Sequence, residues 1–179
     1  MTLTMRSDKT KNRRLALDAL LLAVALIFSY VEAIFPLTAF IPLPSFKLGL
    51  ANVVIMLAVW TASAADAAII SLLRILVMGL LFGNPVSIWF SLGGAIFSLL
   101  TLIILKKFLS EKFSFVGISV LSAASHNIGQ VLFATAFFGI NTVFAYLPLL
   151  LSVSTLFGGI CGALVNFVYP KIKKIKVIK

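Results

Sequence analysis

Long apolar runs separated by short polar or basic stretches make up most of the chain. A helix that crosses the hydrocarbon core of a bilayer needs about 20 predominantly apolar residues. Six runs approach that length, and we predict a transmembrane helix in each of them: 15–35, 48–63, 65–82, 86–105, 115–138 and 144–168. The run at 48–63 is the shortest of these. The pattern predicts an all-α integral membrane protein with six transmembrane helices.

The segments between the runs carry helix-breaking and turn residues. Three prolines in "PLTAFIPLPSF" (36–46) exclude a continuous helix there, and the segment is still apolar. We expect it to lie in the membrane interface or to fold back over the protein. "GNP" at 83–85 and "GINT" at 139–142 predict the turns before the fourth and sixth helices.

Basic residues cluster at the ends of the apolar runs. The chain has 15 Lys and Arg against 5 Asp and Glu, and most of the basic residues fall in 6–14, 106–112 and 171–179. The positive-inside bias then places both termini and the 106–112 loop in the cytoplasm. We therefore expect a basic cytoplasmic segment (1–14), a transmembrane domain (15–170) and a basic cytoplasmic tail (171–179). The clusters suit anionic lipid headgroups of the plasma membrane, and their positions argue against nucleic acid as a partner.

Polar side chains inside the apolar runs are candidates for function, because an ionisable group at the centre of a membrane helix costs about 2.5–3.5 kcal/mol. The candidates are Asp18, Glu32, Arg74 and His126 within the runs, Lys47 and Asp66 at their ends, and the amides of Asn52, Asn84, Asn127, Gln130 and Asn166.

The fifth run contains the stretch "SAASHNIGQ" (122–130) with the only histidine of the chain. On a helix Ser122, His126 and Gln130 share one face, while Asn127 points about 100° away. His126 and Gln130 either contact a ligand or form hydrogen bonds between helices. For Asn127 we expect an interhelical hydrogen bond.

Arg74 lies near the middle of the third run, where a positive charge is costly. It either meets an anionic group of a ligand or pairs with Glu32 or Asp18. Lys47 and Asn52 lie where the second run begins, and together they would bring polar groups to a pocket that opens outward.

The first run carries Ala16, Ala19 and Ala23 on one helical face, which leaves a shallow groove for close helix packing. The groove receives either another helix of this bundle or a partner protein.

The sequence lacks the motifs that define several classes of protein. The chain has no nucleotide-binding glycine-rich loop, no metal-ligand spacing and no paired aspartates that would hold magnesium for prenyl diphosphate chemistry. One cysteine excludes an intrachain disulfide. We predict a protein that is not an enzyme, has no ATPase of its own and carries no cofactor.

Four sequence blocks in this order resemble the Gx transporter family, whose members also carry the label heptaprenyl diphosphate synthase component I. The blocks are "FKLGLANVVIMLAVW" (46–60), "RILVMGLLFGNP" (74–85), "SLGGAIFSLL" (91–100) and "SAASHNIGQ" (122–130). The resemblance covers about residues 15–170, and the family is similar to the substrate-binding S components of energy-coupling factor (ECF) transporters.

The resemblance implies a six-helix S-component-like bundle that binds a vitamin-like or cofactor-like solute from outside. It also implies partners, namely a transmembrane coupling subunit and two cytoplasmic ATPases. Small residues of the first helix would dock the coupling subunit, as Ala16, Ala19 and Ala23 would do here. The ligand, flavin-like or isoprenoid-like, would lie near the loop after the first helix and the outer parts of later helices. That region contains Lys47, Asn52, Asn84 and the face of His126 and Gln130.

A second hypothesis belongs to another class: a membrane subunit associated with a prenyl diphosphate synthase, without transport activity. A third, a secondary transporter that works alone, lacks the internal repeat that such proteins often show.

Overall fold

The chain folds into a bundle of α-helices. The computed structural model describes residues 2–34, 47, 49–82, 85–109, 112–139 and 141–174, and this part of the chain contains no strand. The elements are α1 (Thr2–Ile34), α2 (Asn52–Thr61), α3 (Ala64–Leu81), α4 (Pro85–Phe108), α5 (Phe115–Phe138), a 3-10 helix (Asn141–Tyr146) and α6 (Leu147–Lys174). The prediction of an all-α fold is thereby confirmed for the described residues. The fifth helix has the predicted bounds, 115–138.

Local sequence explains where several helices begin and end. Ser63 caps α3 by accepting a hydrogen bond from the backbone N–H of Asp66 (3.1 Å), and Ser114 caps α5 in the same way through Gly117. Gly139 ends α5 in a left-handed conformation (φ 65°), which turns the chain toward the 3-10 helix. Arg14 of α1 forms an ion pair with Asp66 (2.6 Å), so that the start of α3 is tied to α1.

The second predicted helix is much shorter than the run at 48–63. α2 has 10 residues, about 15 Å, which is half of the roughly 30 Å hydrocarbon core. The chain cannot extend it at its N-terminal end because Gly49 has a φ of 81°. Nine of the 10 residues are buried, and α2 contacts all five other α-helices. The shortest run therefore forms the centre of the bundle.

Five helices in the described part of the chain are long and apolar enough to cross a membrane: 11–34 of α1, α3, α4, α5 and the segment 141–174. α2 does not reach that length. The count of six spans and the cytoplasmic position of both termini stay predictions.

Glycines bring α4, α5 and α6 into direct backbone contact. A Cβ on Gly129 of α5 would overlap the carbonyl oxygen of Gly93 on α4. A Cβ on Gly162 of α6 would likewise overlap the Cα of Val116 on α5. Close approach of this kind is how membrane helices associate without a hydrophobic driving force. It gives a firmly packed three-helix unit against which α2 and α3 lie, and α1 packs on α2 and α3.

Candidate functional site

The segment just before α2 is held against α5 by backbone hydrogen bonds. Gln130 accepts a bond from the backbone N–H of Lys47 (3.1 Å) and donates one to its carbonyl (2.9 Å). Two residues later, the N–H of Gly49 donates to the carboxylate of Glu32 on α1 (2.7 Å). A single residue of α5 and a single residue of α1 thus fix the entry to α2, and they bring Lys47 into the bundle.

His126 lies at the centre of α5 and between two glycines. A Cβ on Gly94 of α4 would lie 2.5 Å from the Cε1 atom of the ring, and a Cβ on Gly49 would lie 3.4 Å from its Cδ2 atom. The ring is 2% exposed. It lies close to the backbone of Gly94, and neither ring nitrogen has a hydrogen bond of normal geometry to a described residue.

Arg74 is buried near the middle of α3, with 3% of its surface exposed. One of its terminal nitrogens donates to the hydroxyl of Ser29 on α1 (3.2 Å), and its Nε atom is buried without a partner in the described part of the chain. The carboxylate of Glu32 is close enough to attract the guanidinium. Of the two acids that the sequence offered as partners for Arg74, the structure brings Glu32 to it. Asp18 lies instead near Arg14 and Asp66.

Lys47, Arg74 and Glu32 form a cluster of charged side chains. Burial and the charge of Arg74 lower the pKa of the Lys47 ammonium to about 8, while the carboxylate of Glu32 acts in the opposite direction. Both Lys47 and Arg74 are within electrostatic range of His126. Two positively charged side chains, from α3 and from the segment before α2, therefore lie near the imidazole of α5, and the carboxylate of Glu32 on α1 acts on both of them.

A narrow crevice between α2, α5 and α6 adjoins this cluster. It contains about 280 Å³ of space including its open mouth. The Nδ2 atom of Asn52 and the hydroxyl of Ser122 both line it, and neither has a hydrogen-bond partner among the described residues. Gly49 lines it too and separates it from His126. The enclosed interior of the crevice is only about 10 Å³, whereas small-molecule pockets usually have about 300–1,000 Å³, so side chains must move to admit a ligand.

The sequence-predicted site residues separate into different groups. Asn52 and His126 lie beside Gly49, and Lys47 and Arg74 are near His126. Asn52, Arg74 and His126 each have a buried polar atom without a hydrogen-bond partner among the described residues. Gln130 is nearby, but its amide is engaged with the Lys47 backbone, and its Nε2 also lies 3.4 Å from the Oδ1 atom of Asn127.

The remaining predicted polar residues lie elsewhere. Asn127 donates to the carbonyl of Leu150 on α6 (3.1 Å), which confirms the predicted interhelical bond. Asn84 lies outside the described residues. Asn166 is exposed on α6.

Ala16, Ala19 and Ala23 are all exposed on α1. This exposure favours the second of the two alternatives for this face, a partner protein, which stays a prediction. The face is open, and the large exposed side chains Leu20 and Ile27 flank it.

Sequence reasoning missed the two glycines that shape the site. Gly49 and Gly94 belong to the blocks "FKLGLAN" and "SLGGA". The reason for a glycine is the close approach of the His126 ring at Gly94 and the φ of 81° at Gly49, both of which only the three-dimensional structure reveals. The hydrogen bond between Arg74 and Ser29 was not predictable either, because nothing in the sequence around Ser29 sets it apart from the other polar residues of α1. Among the described residues no three His, Cys, Asp or Glu side chains come together to hold a metal ion.

The fold and the site define a class: a multi-pass helical membrane protein with a cluster of buried charged and polar groups at the centre of its bundle. Residues 21–168 match the family model of heptaprenyl diphosphate synthase component I. The chain belongs to this family. No curated protein and no solved structure matches it.

Proposed function

We propose that the chain is the substrate-binding membrane component of an ECF-type transporter in the plasma membrane. It captures a vitamin-like or cofactor-like small molecule, flavin-like or isoprenoid-like, which partner subunits then transport at the expense of ATP. The observation that carries the proposal is a set of buried polar atoms without hydrogen-bond partners among the described residues: on His126 and Asn52 beside Gly49, and on Arg74. Leaving such groups buried and unpaired costs about 1–3 kcal/mol each, and a ligand that bonds to them removes the cost.

In this proposal each part of the site has its own task. Lys47, Asn52, Arg74 and His126 contact the ligand, and Asn84, which lies outside the described residues, is a further predicted contact. Gln130 holds the backbone of Lys47 in place and so positions its side chain. The exposed face of Ala16, Ala19 and Ala23 docks the transmembrane coupling subunit, and two cytoplasmic ATPases supply the energy.

Replacing Ala19 with Leu tests the docking. The change fills the groove on an exposed surface, so we expect a folded chain that no longer co-purifies with the coupling subunit and the ATPases. Ala163, an exposed alanine of α6, is the matched control, and Ala163→Leu is expected to keep the complex. A wild-type chain that never associates with these subunits contradicts the proposal.

A second candidate function follows from the description of the family. It is a membrane subunit that holds a prenyl diphosphate synthase at the membrane or supports its activity. This alternative predicts that deleting the chain reduces the activity or the membrane attachment of a soluble prenyltransferase. Unchanged activity and localisation of the synthase would refute it.

A further inference from the structure

The buried cluster contains more positive than negative charge. Arg74 is 3% exposed and Glu32 is 6% exposed, and Lys47 is partly buried beside them. Two cations thus face one carboxylate, and the imidazole of His126 lies near both cations. In a medium of low dielectric constant an uncompensated charge costs several kcal/mol, so an excess of this kind calls for a counter-charge.

Among the side chains that the structure describes, no other acid lies at the cluster to supply that counter-charge. The chain has five acidic residues, and one of them is Glu32. Asp66 forms an ion pair with Arg14 (2.6 Å), and Asp18 lies near that pair. Asp8 precedes Glu32 on α1 by 24 residues, about 36 Å along the helix. Glu111 belongs by chain position to the basic segment between α4 and α5. Residues 35–46, 48, 83 and 84 include no Asp or Glu.

The cluster also offers hydrogen-bond donors that suit an anion. The Nε–H of Arg74 has no partner in the described region, and neither has the Nδ2 amide of Asn52. The guanidinium group is suited to two parallel bonds with a carboxylate or a phosphate. His126 can add one N–H from either ring nitrogen, since both lack partners among the described residues.

We infer that this cluster binds an anionic group, a carboxylate or a phosphate, through Arg74 and Lys47, with His126 and Asn52 as further donors. This inference rests on the proposed function. It adds that the transported molecule carries a negative charge, which compensates the excess positive charge of the cluster when the molecule binds. The same chemistry fits the phosphate of a lipid headgroup, and the experiment separates the two sources.

The test uses the full chain purified in detergent, with inorganic phosphate and acetate as probes. Each probe is titrated at pH 7 and constant ionic strength, and the Tm is followed by tryptophan fluorescence. A ligand that binds only the folded protein raises the Tm saturably. We expect such a rise for the wild type, and an apparent Kd at least about tenfold weaker for Arg74→Gln.

Two further variants control the test. Arg14→Gln removes a cation of the same type that lies outside the cluster, and it is expected to keep the wild-type response. Glu32→Gln keeps an oxygen acceptor for the N–H of Gly49 and removes the only negative charge of the cluster, so the probes should bind several-fold more tightly. This variant also decides the matter if Arg74→Gln does not fold.

Absence of a saturable rise for both probes overturns the inference, as does an Arg74→Gln or Glu32→Gln variant that responds like the wild type. Repeating the phosphate titration in phosphatidylcholine nanodiscs with and without phosphatidylglycerol identifies the source. Competition by phosphatidylglycerol indicates a lipid headgroup, and unchanged phosphate binding indicates a soluble anion. A chain that binds the probes but no coupling subunit refutes the proposed function alone, and a complex that transports a neutral molecule refutes this inference alone.

Discussion

Replacing Gly94 with Ala tests how the imidazole of His126 is held. The new methyl carbon would lie 2.5 Å from Cε1 and 2.7 Å from both ring nitrogens, so the ring would have to leave its position. Because neither nitrogen is anchored by a hydrogen bond in the described region, the ring yields before the backbone of α4 does. We expect a folded variant whose site no longer has His126 in place.

The magnitude follows from two opposing effects. Alanine is favoured over glycine inside a helix by about 1 kcal/mol, whereas forcing an extra carbon into a packed interior costs about 1–3 kcal/mol. Gly159 of α6 provides the matched control, because a Cβ at that position meets no atom within 4 Å. Gly159→Ala should therefore show the helix effect alone. The difference in free energy of unfolding between the two variants then isolates the packing cost, and we expect about 1–3 kcal/mol.

The assay is unfolding by SDS titration in mixed micelles, with tryptophan fluorescence as the readout. A double-mutant cycle completes it: in a His126→Ala background the Gly94→Ala change should lose its packing cost, because the clashing ring is gone. A Gly94→Ala variant that is as stable as Gly159→Ala would refute the placement of the imidazole. So would a cost that persists without His126.

Three further predictions concern single residues. Asn127→Leu removes a buried hydrogen bond to α6 and should lower the free energy of unfolding by about 1 kcal/mol, whereas Ser152→Ala, which loses only a bond within α6 on the exposed side, should leave it unchanged. Gly49→Ala places a side chain at φ 81° and 2.9 Å from the Nδ2 atom of Asn52, so a cost of at least about 1–2 kcal/mol is expected in the same assay. Anion binding should weaken between pH 7 and pH 9, because the pKa of Lys47 is lowered to about 8 and its positive charge is lost as the pH rises through that value. The probe is acetate, whose charge does not change between pH 7 and pH 9, and an acetate affinity that stays constant over this range would contradict the role of Lys47.

Helix positions followed from the sequence because each depends on local pattern. α5 has the predicted bounds, since an apolar run with a capping serine before it and a glycine after it determines both ends. The run at 48–63 contains a helix of only 10 residues, since hydropathy alone does not distinguish a membrane-spanning segment from a short helix buried on all sides. The position at which α2 begins depends on the backbone conformation of Gly49, which the amino-acid sequence does not reveal.

The candidate site was predictable in its charged members and not in its geometry. Arg74 and His126 stand out because polar residues in apolar runs are rare. Gln130 binds the backbone of Lys47, which lies 83 positions earlier in the sequence. Ser29 bonds to Arg74, which lies 45 positions later. Such contacts are determined by how the helices pack.

The most direct test of a ligand site at the centre of the bundle is native mass spectrometry of the solubilised chain. We predict that the wild type and Gly159→Ala each retain one small molecule per chain, and that Gly94→Ala, in which His126 is displaced, has lost it. Equal small-molecule content in all three proteins, or a bare wild-type chain isolated from cells that supply its partners, would contradict the account.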